Sequence, residues 1–296
     1  MPVPQRIAIT GASGLIGTAL VGHLKSEGHT VQRLVRRAPV GADEVQWDPQ
    51  TGFVDLEPLR GVDAIIHLAG VGVGDKRWNK KYKSEILNSR LLGTTAIAHA
   101  VAELKPQVFI SASAIGWYGE SGNRAVVETD RAGDDFLAAV CREWEGAADL
   151  AGDIRTVKIR TGLVLDPTGG ALGKMLPLFR LGLGGKMGNG KQWWSWITLH
   201  DQIRAIVFAL ENPISGPVNL TAPNPVTNQE FTSALARAMH RPALFPVPGI
   251  ALKIALGGFS SEILGSKKVI PHALQEAGFT WDYPHISEAL GKLVED

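Results

Sequence analysis

The sequence predicts an α/β protein built around a parallel β-sheet with helices on both faces. Short apolar runs alternate with longer stretches that carry apolar residues at helical spacing, which is typical of such a sheet. The runs lie at residues 6–10, 30–35, 64–68, 108–111 and 156–159, and the helical stretches lie near 15–27, 84–104 and 134–151. With 45% hydrophobic and 20% charged residues among 296, the chain can bury a sizeable core.

Charge and composition narrow the range of partners. The formal net charge is +1, so the chain lacks the basic excess that contacts with nucleic-acid phosphates require. The single cysteine, Cys141, cannot form an internal disulfide, and no His/Cys cluster has metal-ligand spacing, so we expect no metal site. A small molecule is the expected partner.

No targeting or membrane segment is expected. The N-terminus runs directly into a strand without the pattern of a signal peptide. The most apolar later stretch starts at Leu244, but it contains two prolines and Lys253 and is short for a membrane span, which favours a buried helix. We therefore expect a cytoplasmic protein without a membrane partner.

The composition changes after Leu165, where glycine, tryptophan and proline become frequent. This change predicts two parts, a dinucleotide-binding domain at 1–165 and a C-terminal substrate or lid lobe at 166–296. Helices are expected at Leu199 to Glu211 and Asn228 to Met239. Residues 217–222 are a candidate strand that returns to the sheet of the first part.

The segment from Thr10 to Gly17 (TGASGLIG) places glycines at 11, 14 and 17 between the first strand and the first helix. Backbone N–H groups at a helix N-terminus, together with the positive end of the helix dipole, favour a pyrophosphate. Because a strand precedes this loop and a second strand follows the helix, the pattern indicates dinucleotide binding.

Arg36 and Arg37 follow the second predicted strand, where an NAD-dependent dehydrogenase usually places an acid that binds the ribose 2′-hydroxyl. A guanidinium suits a 2′-phosphate instead. We therefore expect NADP in preference to NAD. The alternative is that both arginines are only solvated.

Four segments together resemble the extended branch of the short-chain dehydrogenase/reductase superfamily: TGASGLIG, HLAG at 67–70, SASAIGWYG from Ser111, and IRTGLVLDP at 159–167. Segments 180–197, 216–231 and 269–290 are similar to its atypical "epimerase family" subgroup. The resemblance implies a Rossmann-type doubly wound sheet. It also implies a set of residues that contact the dinucleotide: Gly11, Ser13, Gly14, Leu15, Ile16, Arg36, Arg37, His67, Leu68, Ala69, Gly70, Glu85, Arg90 and Val164. The assignment of Glu85 and Arg90 rests on the resemblance alone, because their spacing by itself indicates an exposed helix face.

Members of that superfamily use a tyrosine with a lysine four residues later, and this pair is absent. The residues four positions after the three tyrosines are Ile86, Gly122 and Ser287. A tyrosine titrates near 10, so proton transfer near pH 7 needs about 4 kcal/mol of help that no following lysine supplies. On the helix where the resemblance places the tyrosine, Phe136 or a near neighbour stands instead.

Ser113 and Tyr118 are the remaining catalytic candidates. The resemblance puts Ala114 in the position of the catalytic serine, with Ser113 one residue away and able to donate to a substrate carbonyl if the loop shifts by one. We expect Tyr118 at the mouth of the cleft, in contact with substrate or nicotinamide. The alternative for Tyr118 is a packed aromatic ring with a hydrogen-bonded hydroxyl.

The segment from Met175 to Ile197 has the features of a substrate wall or lid. Cations (Lys174, Arg180, Lys186 and Lys191) surround the aromatic cluster Trp193, Trp194 and Trp196, which would suit an anionic or nucleotide-like substrate. The alternative is that the tryptophans pack between the lobes. Asp201, which follows His200, is expected to cap the N-terminus of a helix. The alternative hypothesis is that His200 and Asp201 form a catalytic pair.

The sequence thus predicts an NADP(H)-binding oxidoreductase or epimerase that transfers hydride on a small carbonyl or nucleotide-sugar-like substrate without the usual tyrosine and lysine. The alternative is a binding protein that has lost catalysis and senses NADPH.

Overall fold

A computed structural model describes residues 3–295 of the chain. The strands are β1 (Arg6–Thr10), β2 (Thr30–Val35), β3 (Glu44–Asp48), β4 (Phe53–Val54), β5 (Ala64–His67), β6 (Val108–Ala114), β7 (Ala125–Val126), β8 (Thr156–Thr161), β9 (Leu163–Asp166), β10 (Trp193–Trp194), β11 (Trp196–Thr198), β12 (Gly216–Leu220), β13 (Val226–Thr227) and β14 (Lys268–Val269). The helices are α1 (Leu15–Ser26), α2 (Lys80–Leu104), α3 (Phe136–Ala148), α4 (Gly170–Arg180), α5 (Leu199–Glu211), α6 (Asn228–Ala238), α7 (Gly249–Leu256), α8 (Ser260–Leu264), α9 (His272–Glu276) and α10 (Ile286–Glu295).

Eight strands form the central sheet in the order β12-β8-β6-β5-β1-β2-β3-β4. All neighbours pair in parallel except β3 with β4. The chain starts at β1 and winds outward in both directions, so the carboxyl ends of β1 and β5 frame the crevice where such sheets bind ligands. The predicted α/β doubly wound fold is confirmed.

Helices cover both faces of this sheet. One core lies between the sheet and α1 and α5. A second core on the opposite face includes side chains of α2. Strands buried on both faces read as continuous apolar runs, which is why β5 (AIIH) and β1 (RIAIT) were recognisable from sequence. The short β3, with exposed Gln46 at its centre, carries no such run and was not predicted.

The C-terminal segments form a further core between α4, α6, α10 and the buried Trp196. The chain does not stay in this layer, because β12 pairs in parallel with β8 and forms one edge of the central sheet. Helix α2 begins at Lys80, four residues before the predicted start, because Asn79 caps it by accepting a hydrogen bond from the Tyr82 N–H.

Candidate functional site

A cavity of about 1050 Å³ lies along the carboxyl ends of β1, β2 and β5 and the first turns of α2. Of the residues that the sequence assigns to the dinucleotide, nine line it: Gly11, Ser13, Gly14, Arg36, Arg37, Leu68, Ala69, Gly70 and Glu85. Leu15, Ile16, His67, Arg90 and Val164 do not line it.

The glycine loop fits its place only without side chains at two positions. Gly11 has φ +70°, and a Cβ there would lie 2.8 Å from the Ala69 backbone nitrogen. A Cβ on Gly17 would lie 2.1 Å from the Gly11 carbonyl oxygen, so this glycine allows α1 to pack directly against the loop. Gly14 meets only that same oxygen, at 3.4 Å, and leaves the cavity side open.

The N-terminus of α1 is free to bind an anion. Gly14 is its N-cap, no side chain caps it, and its first turn contains no acidic residue. The first backbone N–H groups of a helix have no intrahelical partner, so those of Leu15 and Ile16 are donors at the positive end of the helix dipole. The side chains of these two residues pack inward instead: that of Leu15 approaches Gly169, and that of Ile16 packs on the sheet core.

Arg36 and Arg37 differ in their partners. Arg36 is exposed, and its guanidinium makes no hydrogen bond or ion pair with any of residues 3–295. Arg37 forms two bonds with the Glu44 carboxylate, at 2.7 and 2.6 Å. Of these two arginines, Arg36 is therefore the one available to a ligand in the cavity, while Arg37 is held in place.

Glu44 is an acid at the cavity that the sequence analysis missed, because β3 was not recognised. Its carboxylate is 1% exposed and also accepts from the Val40 N–H and pairs with Arg33. The hydrogen bonds from Arg37 hold the pKa of Glu44 down at about 2. With its oxygens occupied by these donors, Glu44 is not free to accept from a ribose hydroxyl.

His67 lies behind the cavity and not in it, so the predicted direct contact is not what the structure shows. Its side chain is fully buried, with its ring edge-on to Trp47 and its Nδ1 2.7 Å from Thr10 Oγ1. That oxygen already accepts from the Leu68 and Ala69 N–H groups, so its one hydrogen points to Nδ1. Burial lowers the pKa of His67 to about 3, and the ring is neutral at ordinary pH. His67 thus supports the 68–69 loop.

Arg90 has a similar supporting role. Its Nη1 donates to the Val71 and Ile86 carbonyls, and its guanidinium stacks on Trp144 at 4.8 Å. Burial lowers its pKa. A Cβ on Gly70 would lie 3.5 Å from Arg90 Cζ, so the guanidinium lies directly against the loop that lines the cavity.

Glu85 and Val164 also differ from each other. Glu85 lines the cavity near Lys76, whose Nζ is 3.4 Å away. Val164 is half-buried in β9, where it pairs with Ile197 of β11, and packs against the sheet core.

Ser113 and Tyr118 belong to a buried polar network centred on Arg160. The Ser113 hydroxyl donates to Glu145 at 2.6 Å, and Arg160 makes two bonds to the same carboxylate. Arg160 also donates to the Tyr118 hydroxyl, which in turn donates to Asn219 Oδ1 at 2.7 Å. The network ties β6, α3, β8 and β12 together.

The expectation that Tyr118 lies at the cleft mouth is wrong. Its side chain is 3% exposed, and burial raises the pKa of its phenol to about 12 despite the neighbouring Arg160. Ser113 is equally buried, with its hydrogen committed to Glu145, so it does not face a substrate carbonyl. The interpretation of Tyr118 as a packed, hydrogen-bonded ring describes the structure.

Phe136 begins α3, where the resemblance expects the catalytic tyrosine. A lysine does lie beside it, but it comes from α2: Lys83 Nζ is 4.7 Å from the centre of the Phe136 ring. This lysine could not be found from the spacing after a tyrosine. Since a phenyl ring carries no titratable proton, the pair cannot relay one.

Two of the three tryptophans in the predicted cluster are packing residues, while the partly buried Trp193 donates to Asn123 and has the Lys268 ammonium over its ring. Trp196 is fully buried, and its indole donates to the Asn224 carbonyl. Trp194 packs on Phe231 and donates to the Ile263 carbonyl. The stacking wall predicted for a substrate is therefore not formed by these two rings.

Asp201 does not cap α5, because Thr198 accepts the capping hydrogen bond from the Asp201 N–H. The buried Asp201 carboxylate instead accepts from the backbone N–H groups of Asp282 and Tyr283 and from Arg204. His200, Asp201 and Asp282 have ligand atoms close enough to share a cation. The Asp201 carboxylate is already occupied by these hydrogen bonds, and His200 Nε2 lies 2.7 Å from the Asp282 carboxylate. The cluster therefore has a structural role, because it holds residues 280–283 against α5.

Comparison with known proteins assigns the family. Residues 7–139 match the NAD dependent epimerase/dehydratase family, and residues 247–293 match a domain of unknown function, DUF1731. An epimerase family protein of Mycobacterium tuberculosis is 46% identical over 289 residues, covering 96% of each chain. This chain belongs to the epimerase family.

Two solved structures extend the family likeness. A crystal structure of the human epimerase family protein SDR39U1 with NADPH covers 98% of this chain and 99% of its own, at 34% identity and a TM-score of 0.91. The nucleoside-diphosphate sugar epimerase of Corynebacterium glutamicum is 37% identical, with a TM-score of 0.79, over 98% of this chain and 58% of its own. None of the helices within residues 3–295 of this family member has the length and apolar character needed to cross a bilayer.

Proposed function

We propose that this chain binds NADP(H) in the cavity at the carboxyl ends of β1, β2 and β5, with Arg36 as the ligand of the 2′-phosphate. The observation that carries the proposal is that the two arginines differ in their partners. Glu44 neutralises Arg37, whereas Arg36 has no partner among residues 3–295 and lines the cavity. A buried acid already held by donors cannot serve the 2′-hydroxyl of NAD, whereas a free guanidinium gains from a phosphate. The human relative with NADPH supports this choice.

The rest of the cavity fits the same molecule. The uncapped N-terminus of α1 faces it beside Gly14, and the side-chain-free loop at Gly11 lets phosphates approach the backbone. Leu68, Ala69 and Gly70 form a wall that Thr10, His67 and Arg90 hold from behind. The chain's own residues thus bind and orient the dinucleotide.

We further infer that the protein is an oxidoreductase or epimerase for a small carbonyl or nucleotide-sugar-like substrate. The bound dinucleotide would supply hydride transfer. The name of the Corynebacterium relative, a nucleoside-diphosphate sugar epimerase, supports this substrate class. Because Ser113 and Tyr118 are committed to the Arg160 network, neither supplies the proton that accompanies hydride transfer, and in this proposal water in the cavity supplies it. Without a positioned acid, the rate lacks a factor of about 10²–10⁴.

One observation favours a second candidate, an NADPH-sensing protein without catalysis. Both catalytic candidates are buried in a network that also joins β12 and, through Asn219, the Ile270 carbonyl of the C-terminal segment. A chain with this arrangement can bind the dinucleotide without a proton donor of its own.

Deuterated NADPH separates the two candidates. NADPH labelled in turn at each face of the nicotinamide would be incubated with the protein and a panel of nucleoside-diphosphate keto-sugars and small carbonyls, and product deuterium measured by mass spectrometry. The enzyme proposal predicts transfer from one face only, and none with Gly17→Ala, whose loop cannot form. Tight NADPH binding without transfer across the panel would overturn it in favour of the sensor, and absence of NADPH binding would overturn both.

A further inference from the structure

The exposed large apolar side chains are concentrated on one part of the second lobe. Among residues 3–295, seven of the twelve such side chains lie in two short segments, 178–183 and 244–254. They are Leu178, Leu181, Leu183, Leu244, Phe245, Ile250 and Ile254, and each is between 50% and 76% exposed. Patches of this kind on a monomer mark interaction sites.

The two segments are joined to each other. The Phe245 N–H donates to the Gly184 carbonyl at 3.3 Å, and the Val247 N–H donates to the Lys186 carbonyl at 2.8 Å. Helix α7 starts two residues after Val247 and carries Ile250 and Ile254 one turn apart. The end of α4, the 244–248 strand-like segment and α7 therefore form one surface, here named the apolar-basic surface.

The two stretches of chain that contain this surface are strongly basic. Residues 167–200 and 231–261 contain seven Lys and Arg residues and no Asp or Glu, a formal charge of +7. Since the whole chain is +1, the remaining residues carry −6, and the near-neutral total conceals the asymmetry. The seven cations are Lys174, Arg180, Lys186, Lys191, Arg237, Arg241 and Lys253. None of them forms an ion pair with a carboxylate of residues 3–295.

A shallow depression adjoins the surface. It measures about 520 Å³ and is lined by Arg237, His240 and Arg241, just before Leu244 in the chain. Three basic side chains without an acidic partner beside an apolar surface match the chemistry of a phosphate headgroup beside acyl chains.

We propose that the apolar-basic surface docks this protein on a bilayer that contains anionic lipids. Charge complementarity carries the choice of occupant. Arg180, Arg241 and Lys253 are exposed, form no ion pair among residues 3–295, and lie in the chain beside the projecting Leu181, Leu244 and Ile254, which suits an anionic interface. A second copy of the chain would bring like charges together across a twofold axis. A partner helix would need a groove, whereas Leu244 and Ile250 project from the surface with most of their area exposed. The expectation of no membrane partner rested on the stretch from Leu244 being too short to span a bilayer and forming a buried helix. The helix there, α7, is not buried, because Ile250 and Ile254 are 73% and 72% exposed, and the proposal replaces that expectation.

Vesicle sedimentation tests this proposal with matched variants. The full chain would be mixed at low salt with vesicles of phosphatidylcholine alone, or with vesicles in which about 30% of the lipid is phosphatidylglycerol, at equal total lipid. Binding is expected only to the anionic vesicles and should fall at high salt. Arg180→Glu and Phe245→Ser should each weaken it about fivefold or more.

The controls are Arg131→Glu and Phe53→Ser, which change a comparably exposed cation and phenyl ring elsewhere on the chain. NADPH affinity and melting temperature establish that all four variants fold. Controls that bind vesicles like the unaltered chain, with weakened Arg180 and Phe245 variants, support the proposal. Equal loss in test and control variants, or no binding to anionic vesicles, overturns it. A dimer in solution that Phe245→Ser dissociates would also overturn it and assign the surface to a second copy.

Discussion

Arg37 and Glu44 form an ion pair in which a half-exposed guanidinium covers a buried carboxylate. The side chains are 55% and 1% exposed, and two short hydrogen bonds join them. Position alone would make Glu44 a candidate ligand for the ribose of NAD, since it lines the cavity. Its partners remove it from that role, and the pair leaves Arg36 as the arginine that we propose binds the ligand.

The stability of this pair depends on pH. Hydrogen bonds from Arg37 depress the folded pKa of Glu44 to about 2, below its ordinary value. The carboxylate therefore contributes stability that is present at neutral pH and is lost as pH falls through the acid range towards 2. Glu44→Gln should be less stable than the unaltered chain at pH 7, and the gap should narrow at pH 3. Urea unfolding at both pH values measures the difference in unfolding free energy between the two proteins. A difference that does not change with pH would contradict the low pKa of Glu44 in the folded state.

Arg36→Ala should weaken NADPH binding and leave NADH binding unchanged. Loss of one charge-assisted contact to the 2′-phosphate is expected to raise the Kd for NADPH about 10–100-fold. Because Arg36 has no partner among the described residues, the melting temperature should not move. Isothermal titration measures the two dissociation constants and thermal unfolding measures the melting temperature. Arg131→Ala, a change at another exposed arginine, is the control. Parallel losses for both dinucleotides would show that Arg36 does not read the phosphate.

Gly17→Ala should damage the dinucleotide site, while Gly22→Ala should not. Both glycines lie in α1, but a Cβ on Gly17 would lie 2.1 Å from the Gly11 carbonyl, whereas one on Gly22 meets nothing within 4 Å. We expect Gly17→Ala to cost about 1–3 kcal/mol and abolish NADPH binding. Gly22→Ala should gain about 0.5–1 kcal/mol with unchanged binding. Thermal unfolding and titration distinguish them, and similar behaviour of the two variants would refute the close-packed loop.

Tyr118→Phe should affect stability and not catalysis. The phenol bridges Arg160 and Asn219 in a buried network, so its removal is expected to cost about 1–3 kcal/mol. A phenol whose pKa is raised to about 12 carries its proton at neutral pH. NADPH affinity and any turnover should therefore be retained within about twofold once the variant is folded. A hundredfold loss of kcat without loss of stability would return Tyr118 to the catalytic site.

Protonation of His67 should destabilise the fold at mildly acidic pH. Burial lowers its folded pKa to about 3, below the ordinary 6.5, so the unfolded chain binds the extra proton between these values. Stability should fall as pH drops from about 6.5 towards 3, and His67→Gln should remove part of that slope. Comparison of unfolding free energies at pH 7 and pH 5 tests this, and an identical slope in both proteins would exclude His67 as the cause.

Local patterns were enough to predict most strands of the sheet, the glycine loop and the position of the arginine pair, but not β3 and β4. Gly11, Gly14 and Gly17 lie between a strand and a helix that each have a clear periodicity, so their role follows from neighbours in sequence. The family resemblance added Glu85 at the cavity, which spacing alone did not indicate.

Contacts between distant residues could not be predicted in the same way. The return of residues 217–222 to the sheet was predicted and is confirmed, but the hydrogen bond from Tyr118 to Asn219, 101 residues later, and the bond from Arg160 to Tyr118 were not. Glu44 reaches the cavity only because β3 joins β2, and its short run gave no strand signal. Both corrections come from contacts between side chains or strands that no local pattern specifies.

The most direct test of the account is the ratio of dissociation constants for NADH and NADPH with the unaltered protein, measured by titration at one ionic strength. The free Arg36 and the occupied Glu44 predict NADPH binding tighter by about 10–100-fold. Equal affinities, or tighter binding of NADH, would contradict the assignment of this cavity to NADP(H).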